Sequence, residues 1–289
     1  MLQASATYPF DRRNSIRMQM AYRNDAFRFK AQEQLSLLYD VQDKNQSWVL
    51  SRAEYVYDNS ISPALNIRNG IRYKIFAEYM YRMNGKTGGF YGLGADVRNY
   101  TKIYKNFIWA TRVAFAHSGG DKRIMYQMGG VDNWISPQVS QYTPIRPQQD
   151  YAFIAQANNM RGYKQNARNG NTYALINTEF RLPVLTTFMK RPIQSPLLKN
   201  LQLIAFADLG SAWQGLLPTT EKLQNNTYLP SYGSNSQVNL VIVDDTGGIC
   251  LGYGGGIRTS VFGYFMRLDA ASNVDDGKLL FHFSIGTDF

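Results

Sequence analysis

The feature that most constrains this chain is a strict alternation of apolar and polar residues, sustained over segments of about ten residues. Along Ile71–Met83 the apolar set is Ile71, Tyr73, Ile75, Ala77, Tyr79, Tyr81 and Met83, set against Arg72, Lys74, Glu78 and Arg82. Ser15–Arg23 alternates Ile16, Met18, Met20 and Tyr22 with Arg17, Gln19 and Arg23. Ile176–Leu182 alternates Ile176, Thr178, Phe180 and Leu182 with Asn177, Glu179 and Arg181, and Leu279–Phe289 repeats the pattern. A period of two sends successive side chains to opposite faces, so each segment predicts a strand with one apolar and one polar face. Soluble antiparallel sheets alternate as well. Here, however, the polar face carries Arg, Lys and Glu in mid-strand, and the apolar face is rich in Tyr, Phe, Trp and Met near strand ends. A wet lumen accepts the first, and lipid bordered by aromatic girdles accepts the second. The expected fold is all-β, a transmembrane antiparallel β-barrel.

Composition agrees. The chain of 289 residues is 44% hydrophobic and 18% charged, against ~25% charged in a soluble domain. No apolar run approaches the ~18 residues of a spanning helix, which excludes a helical membrane protein. The net charge of +10 is spread singly through the strands, unlike a basic nucleic-acid patch, so no nucleic-acid partner is expected. A single cysteine, Cys250, and two histidines, His117 and His282, leave no disulfide framework and no Cys/His zinc site. No Gly-x-Ser-x-Gly elbow is present. No catalytic residues, metal or cofactor are therefore expected, and the chain is not read as an enzyme. Met1–Phe10 lacks the basic start and apolar segment of a signal peptide. The expectation is that a signal was removed or that this is the back part of a longer protein.

Strands are expected near 15–25, 32–41, 47–58, 70–83, 89–104, 107–117, 123–130, 174–184, 201–213, 249–260, 263–271 and 278–289, about twelve in all. Short links at Gln42–Gln46, Asn84–Gly88, Ser118–Lys122 and Val261–Phe262 contrast with long ones at Val131–Tyr173 and Gln214–Gly248. With the last strand ending in the periplasm, both long links fall outside, as outer-membrane barrels require. Leu185–Asn200 fits less well, being long for a periplasmic turn. Long loops without regular structure carry function, which directs attention to 131–173 and 214–248.

Within the first long loop lies Asn159-Met-Arg-Gly-Tyr163, followed by Thr178-Glu-Phe-Arg-Leu-Pro183 and Phe206-Ala-Asp-Leu-Gly210. Strand parity puts Glu179 with Asn177 and Arg181, and Asp208 with Gln202, Phe206 and Gly210, on the lumen side. An arginine fork suits such carboxylates, Gly162 permits a tight tip, and Gly210 leaves room for the approach. Gly252-Tyr-Gly-Gly-Gly256 has the glycines of a phosphate loop but continues as a strand at Ile257–Val261, so these glycines are read as leaving space inside the barrel or permitting curvature.

The ordered set of motifs resembles the BamA/TamA superfamily, also called the bacterial surface-antigen family. The resemblance implies that loop 131–173 folds back into the lumen with Arg161, Gly162 and Tyr163 at its tip. Arg161 would meet Glu179 and Asp208 on the inner wall, Tyr163 would pack against that wall, and five strands would follow. It also implies a barrel of about sixteen strands, of which residues 1–289 would be the C-terminal barrel domain. Phe281, Phe283, Ile285 and Phe289 fit the aromatic terminal-strand signal of outer-membrane barrels, which many unrelated barrels share. The function implied is assembly or translocation of polypeptide or lipid at the bacterial outer membrane, through a weak seam half formed by Lys278–Phe289. Two alternatives are a passive, anion-favouring pore and an anchor for an upstream periplasmic domain. The expected partners are outer-membrane lipid and other outer-membrane or periplasmic proteins.

Overall fold

The computed structural model describes the chain except residues 29, 31–42, 84–87, 141, 142, 144, 146–150, 158, 190–192, 219–224, 229–240 and 245–247. The period-two segments form strands β1 (Leu2–Pro9), β2 (Asn14–Phe27), β3 (Lys44–Asp58), β4 (Ile61–Ala64), β5 (Ile67–Arg82), β6 (Gly89–Tyr104) and β7 (Phe107–Gly120). Three short strands, β8 (Met125–Met128), β9 (Ile154–Ala157) and β10 (Arg168–Gly170), lie in the first long loop. Then come β11 (Thr172–Pro183), helices α1 (Val184–Phe188) and α2 (Pro196–Lys199), β12 (Gln202–Trp213), β13 (Asn225–Tyr228), β14 (Val241–Asp244), β15 (Cys250–Val261), β16 (Tyr264–Asn273) and β17 (Leu280–Ile285).

One antiparallel sheet runs β1-β2-β3-β5-β6-β7-β11-β12-β15-β16-β17, with β4 paired to β5. Among the described residues no ladder joins β1 to β17. The alternation read from sequence is the alternation of faces. Along β5, Ile71, Ile75, Tyr79 and Tyr81 point out and are exposed, while Phe76 and Met80 share the inner face with Lys74 and Glu78. Polar groups on the outer face find partners there, as lipid demands: the Trp109 indole donates to Thr178 Oγ1 at 2.7 Å, and its ring stacks on Phe180.

Several elements differ from expectation. A strand precedes position 15: β1 pairs with β2 across a turn in which Asp11 accepts the backbone N–H groups of Arg13 and Asn14. These bonds, the Arg13 one foremost, hold the exposed Asp11 carboxyl below the usual range. The expected strand 32–41 lies outside the described residues. The segment expected as wall strand 123–130 is instead β8, which pairs with β9 and β10 and is buried along its whole length. Burial on both faces is what a plug element inside the lumen experiences. The misfit link after β11 holds two short helices. Finally, the last strand stops at Ile285, because Gly286 takes φ 126° and turns the chain.

Candidate functional site at the inserted loop

The loop between β7 and β11 turns back against the inner face of β11–β17. Its tip, Arg161-Gly162-Tyr163, is buried. The Arg161 guanidinium grips Asp208 with two parallel bonds, Nε to Oδ2 at 2.6 Å and Nη2 to Oδ1 at 2.7 Å, and its backbone N–H reaches Oδ2 at 3.1 Å. The remaining nitrogen, Nη1, donates to Glu179 Oε1. The flat face of the fork lies 3.7 Å from the Phe206 ring centre. Burial opposes the charge on Arg161, but Asp208 and Glu179 outweigh it and hold the guanidinium ionised more firmly than a free arginine. Asn177 completes the seat by donating to Asp208 Oδ1 at 2.7 Å and to the Asn159 carbonyl.

Gly162 sits at φ 84°, and a Cβ there would lie 2.6 Å from the Ser272 carbonyl oxygen, so no larger residue fits. Its N–H donates to His282 Nε2 at 3.0 Å and its carbonyl accepts from Asn273 at 2.7 Å. Tyr163 packs among Met128, Met160, Leu175 and Cys250, and its hydroxyl accepts the Leu251 N–H at 3.1 Å. Burial pushes the phenol pKa up.

Of the residues singled out in the sequence, Arg161, Gly162, Tyr163, Glu179, Phe206 and Asp208 come together here. Gly210 has different neighbours: a Cβ there would crowd the Ala174 carbonyl oxygen and Leu175 of β11 and Met128 of β8, not the tip. The backbone of Arg161 instead crosses Gly252, where a Cβ would run into the Arg161 carbonyl oxygen, while at Gly254 a Cβ would run into the Ala270 carbonyl oxygen of β16 and crowd the Phe206 ring. The glycine run of β15 therefore acts by absence of side chains. His282 and Asn273 also belong to the seat and carry no motif. Parity on their strands, inward for both, was the only sequence clue.

A second buried layer lies toward the chain terminus. Arg181 donates to Glu179 at 2.8 Å and to the Phe289 carbonyl at 3.1 Å. Arg258 holds Asp269 with two bonds and reaches Asp288 at 2.9 Å, and Arg267 meets Asp288 at 3.1 Å. Asn66, from the turn between β4 and β5, donates to Asp288 at 2.9 Å and to Gln202 at 3.1 Å. Phe281 and Phe283 face outward from β17, with Ile285 half-buried. Phe289 does not continue their row. It turns inward beyond Gly286 and packs on Tyr100 and Ala110. Burial would raise the Asp288 carboxyl pKa, but Arg258, Arg181 and Arg267 outweigh it and hold the group far below the usual range.

The loop also touches the edge of the last strand. Trp134 forms an antiparallel bridge with Ser284, and the Ile135 N–H donates to the Phe283 carbonyl at 2.7 Å. Among the described residues no cluster of His, Cys, Asp or Glu is arranged to hold a metal.

A polar-lined strand wall with a buried Arg-Gly-Tyr loop tip can be compared with known proteins. The chain matches the Omp85 superfamily domain over residues 2–289. The chain belongs to the Omp85 superfamily. Its fold resembles the crystal structure of BamA from Haemophilus ducreyi lacking POTRA domains 1–3, with a TM-score of 0.58 at 13% identity, covering 99% of this chain and 53% of that one. The Omp85 chain thus spans about half the length of that BamA structure, and the likeness is one of fold. No curated protein matches it in sequence.

Proposed function

We propose that this Omp85 chain is the membrane-embedded barrel part of an outer-membrane assembly or translocation factor for polypeptides, and that its 131–173 loop is a seated lumen element whose tip holds the working wall in register. The carrying observation is the Arg161 fork, bonded at once to Asp208 on β12 and Glu179 on β11. A single loop residue thereby ties two neighbouring strands from the lumen side. The packed loop argues against a wide, permanently open pore, and nothing in this reading requires a catalytic step. The membrane is the bacterial outer membrane, and the partners are its lipids and the client or accessory proteins at its surface.

The full-length protein in proteoliposomes provides the test. The rate at which an unfolded outer-membrane barrel client folds into the bilayer is followed for wild type, Arg161→Ala and Lys164→Ala. Wild type should accelerate client folding, Lys164→Ala should match it, and Arg161→Ala should lose most of the acceleration while still entering the bilayer. A steady anion-selective conductance without any acceleration would establish the pore reading instead.

A further inference from the structure

The link after β11, too long for a simple periplasmic turn, has a structural account that the loop-tip site does not absorb. On β15 the lumen-facing residue is Arg258, so Thr259 points to the outer, lipid side. The Thr259 hydroxyl donates to the Leu197 carbonyl of α2 at 2.7 Å. This bond places α2 on the outside of the barrel wall, at the rim where β15 ends. The other short helix, α1, touches α2 and is pinned from the next rim turn: Lys105 Nζ donates to the Thr187 carbonyl at 2.8 Å.

The two helices present Phe188, Met189, Leu197 and Leu198 to the outside, with Phe188 67% exposed. The same rim carries Tyr104, Phe262 and Tyr264, all exposed, with Phe262 95% exposed on the β15–β16 turn. Large apolar side chains collected on one rim, continuous with the outward aromatic face, are costly in water and favoured at the boundary between acyl chains and head groups. The charges match that position. The described residues of α1 and α2 include Lys199 and no acidic residue. Lys199 is exposed, and Lys105 lies beside α1. Cations at a rim level with phosphates attract anionic lipid.

We propose that helices α1 and α2 form an interfacial foot that inserts its apolar side chains into the periplasmic leaflet and binds anionic phospholipid head groups through Lys199, with Lys105 beside it. The inference rests on the reading that this chain spans the outer membrane, and it goes beyond it by assigning a lipid-binding element to the link. Such a foot fixes the height of β11 and β12 in the bilayer, and these two strands carry Glu179 and Asp208.

The test uses the whole chain in a Cys250→Ala background, labelled with an environment-sensitive fluorophore at one introduced thiol and folded into bilayers containing lipids brominated on the acyl chain. Leu198→Cys reports on the foot, Ile75→Cys on the outward face in mid-strand, and Lys278→Cys on the opposite rim. Quenching at both 75 and 198, with none at 278, is the expected result. Quenching at 75 with 198 as polar and unquenched as 278 overturns the foot, and shows a face that waits for a protein. Absence of quenching at 75 as well overturns the spanning reading itself. In bilayers with phosphatidylglycerol, wild type should enrich that lipid around itself over phosphatidylcholine, and Lys199→Glu should lower the enrichment about fivefold. Equal affinity of wild type for the two lipids overturns the head-group part.

Discussion

The inner faces of β2–β7 and of β11–β17 are built from the same residue types, yet they hold their charges in different ways. On β2–β7, Arg52 pairs with Glu54 and Glu78, Arg98 and Arg112 pair with Asp96, and Arg17 reaches Glu54 at 3.9 Å. These pairs follow strand register and remain partly open, with the Arg17 side chain 53% and the Arg98 side chain 26% exposed. On β11–β17 the pairs among Arg161, Glu179, Arg181, Asp208, Arg258, Asp269 and Asp288 are almost wholly covered. Arg17–Glu54 apart, the distances hardly differ between the two faces. What differs is the cover, supplied on one side by the inserted loop and the C-terminal turn. Water and salt screen an open pair until it contributes little. A covered pair has lost its hydration, so its members depend on each other, and removal of one leaves a buried charge unmet.

This difference can be broken or sharpened by substitution. The largest effect is expected for Asp208→Ala, which strands the Arg161 guanidinium and should cost about 3–5 kcal/mol, read as a lower midpoint in urea unfolding from lipid or detergent. Arg161→Ala should follow closely while the exposed Lys164→Ala changes little. Equal losses at 161 and 164 would remove the basis of the contrast. Next comes Gly252→Ala, which obstructs the loop backbone and should cost about 1–3 kcal/mol. In the Asp208→Ala background its cost should shrink, since the loop is already unseated, and simple additivity would argue that the two do not share one seat.

A smaller, pH-dependent effect concerns Asp288. Its folded pKa is depressed, so its contribution is present above the unfolded value, near 3.8, and fades as pH falls toward the folded one. Wild type should therefore lose stability as acid is added below that value, and Asp288→Asn should flatten this part of the curve. The smallest effect is expected for Arg98→Ala on the open wall, within about 1 kcal/mol and weaker still at high salt. A loss there as large as at Asp208 would mean that the two walls do not differ.

Much of this arrangement was legible because strand parity is local. The side of the wall for Glu179 and Asp208 followed from counting by twos, with no knowledge of what lay opposite. The elements that escaped are those decided at a distance. Thr287-Asp-Phe289 continues the alternation on paper, but Gly286 turns the chain and Asp288 is drawn in by Arg258 and Arg267. Met125–Met128 reads as a wall strand, and only its burial on both sides reveals a plug. Gly252 announced space without naming its occupant. His282 contributes a single lone pair to Gly162, which leaves no trace in spacing.

The loop tip precedes in the chain every polar side chain that holds it. The polar partners of Arg161 and Gly162 are Glu179, Asp208, Asn273 and His282, all downstream of the tip they hold. The key is therefore synthesised before any part of its lock. Until β17 is in place the Gly162 N–H lacks its acceptor, so the tip can seat fully only once the wall has formed as far as His282. A seated tip thus works as a record of completion, distinguishing a finished wall from one still being laid down.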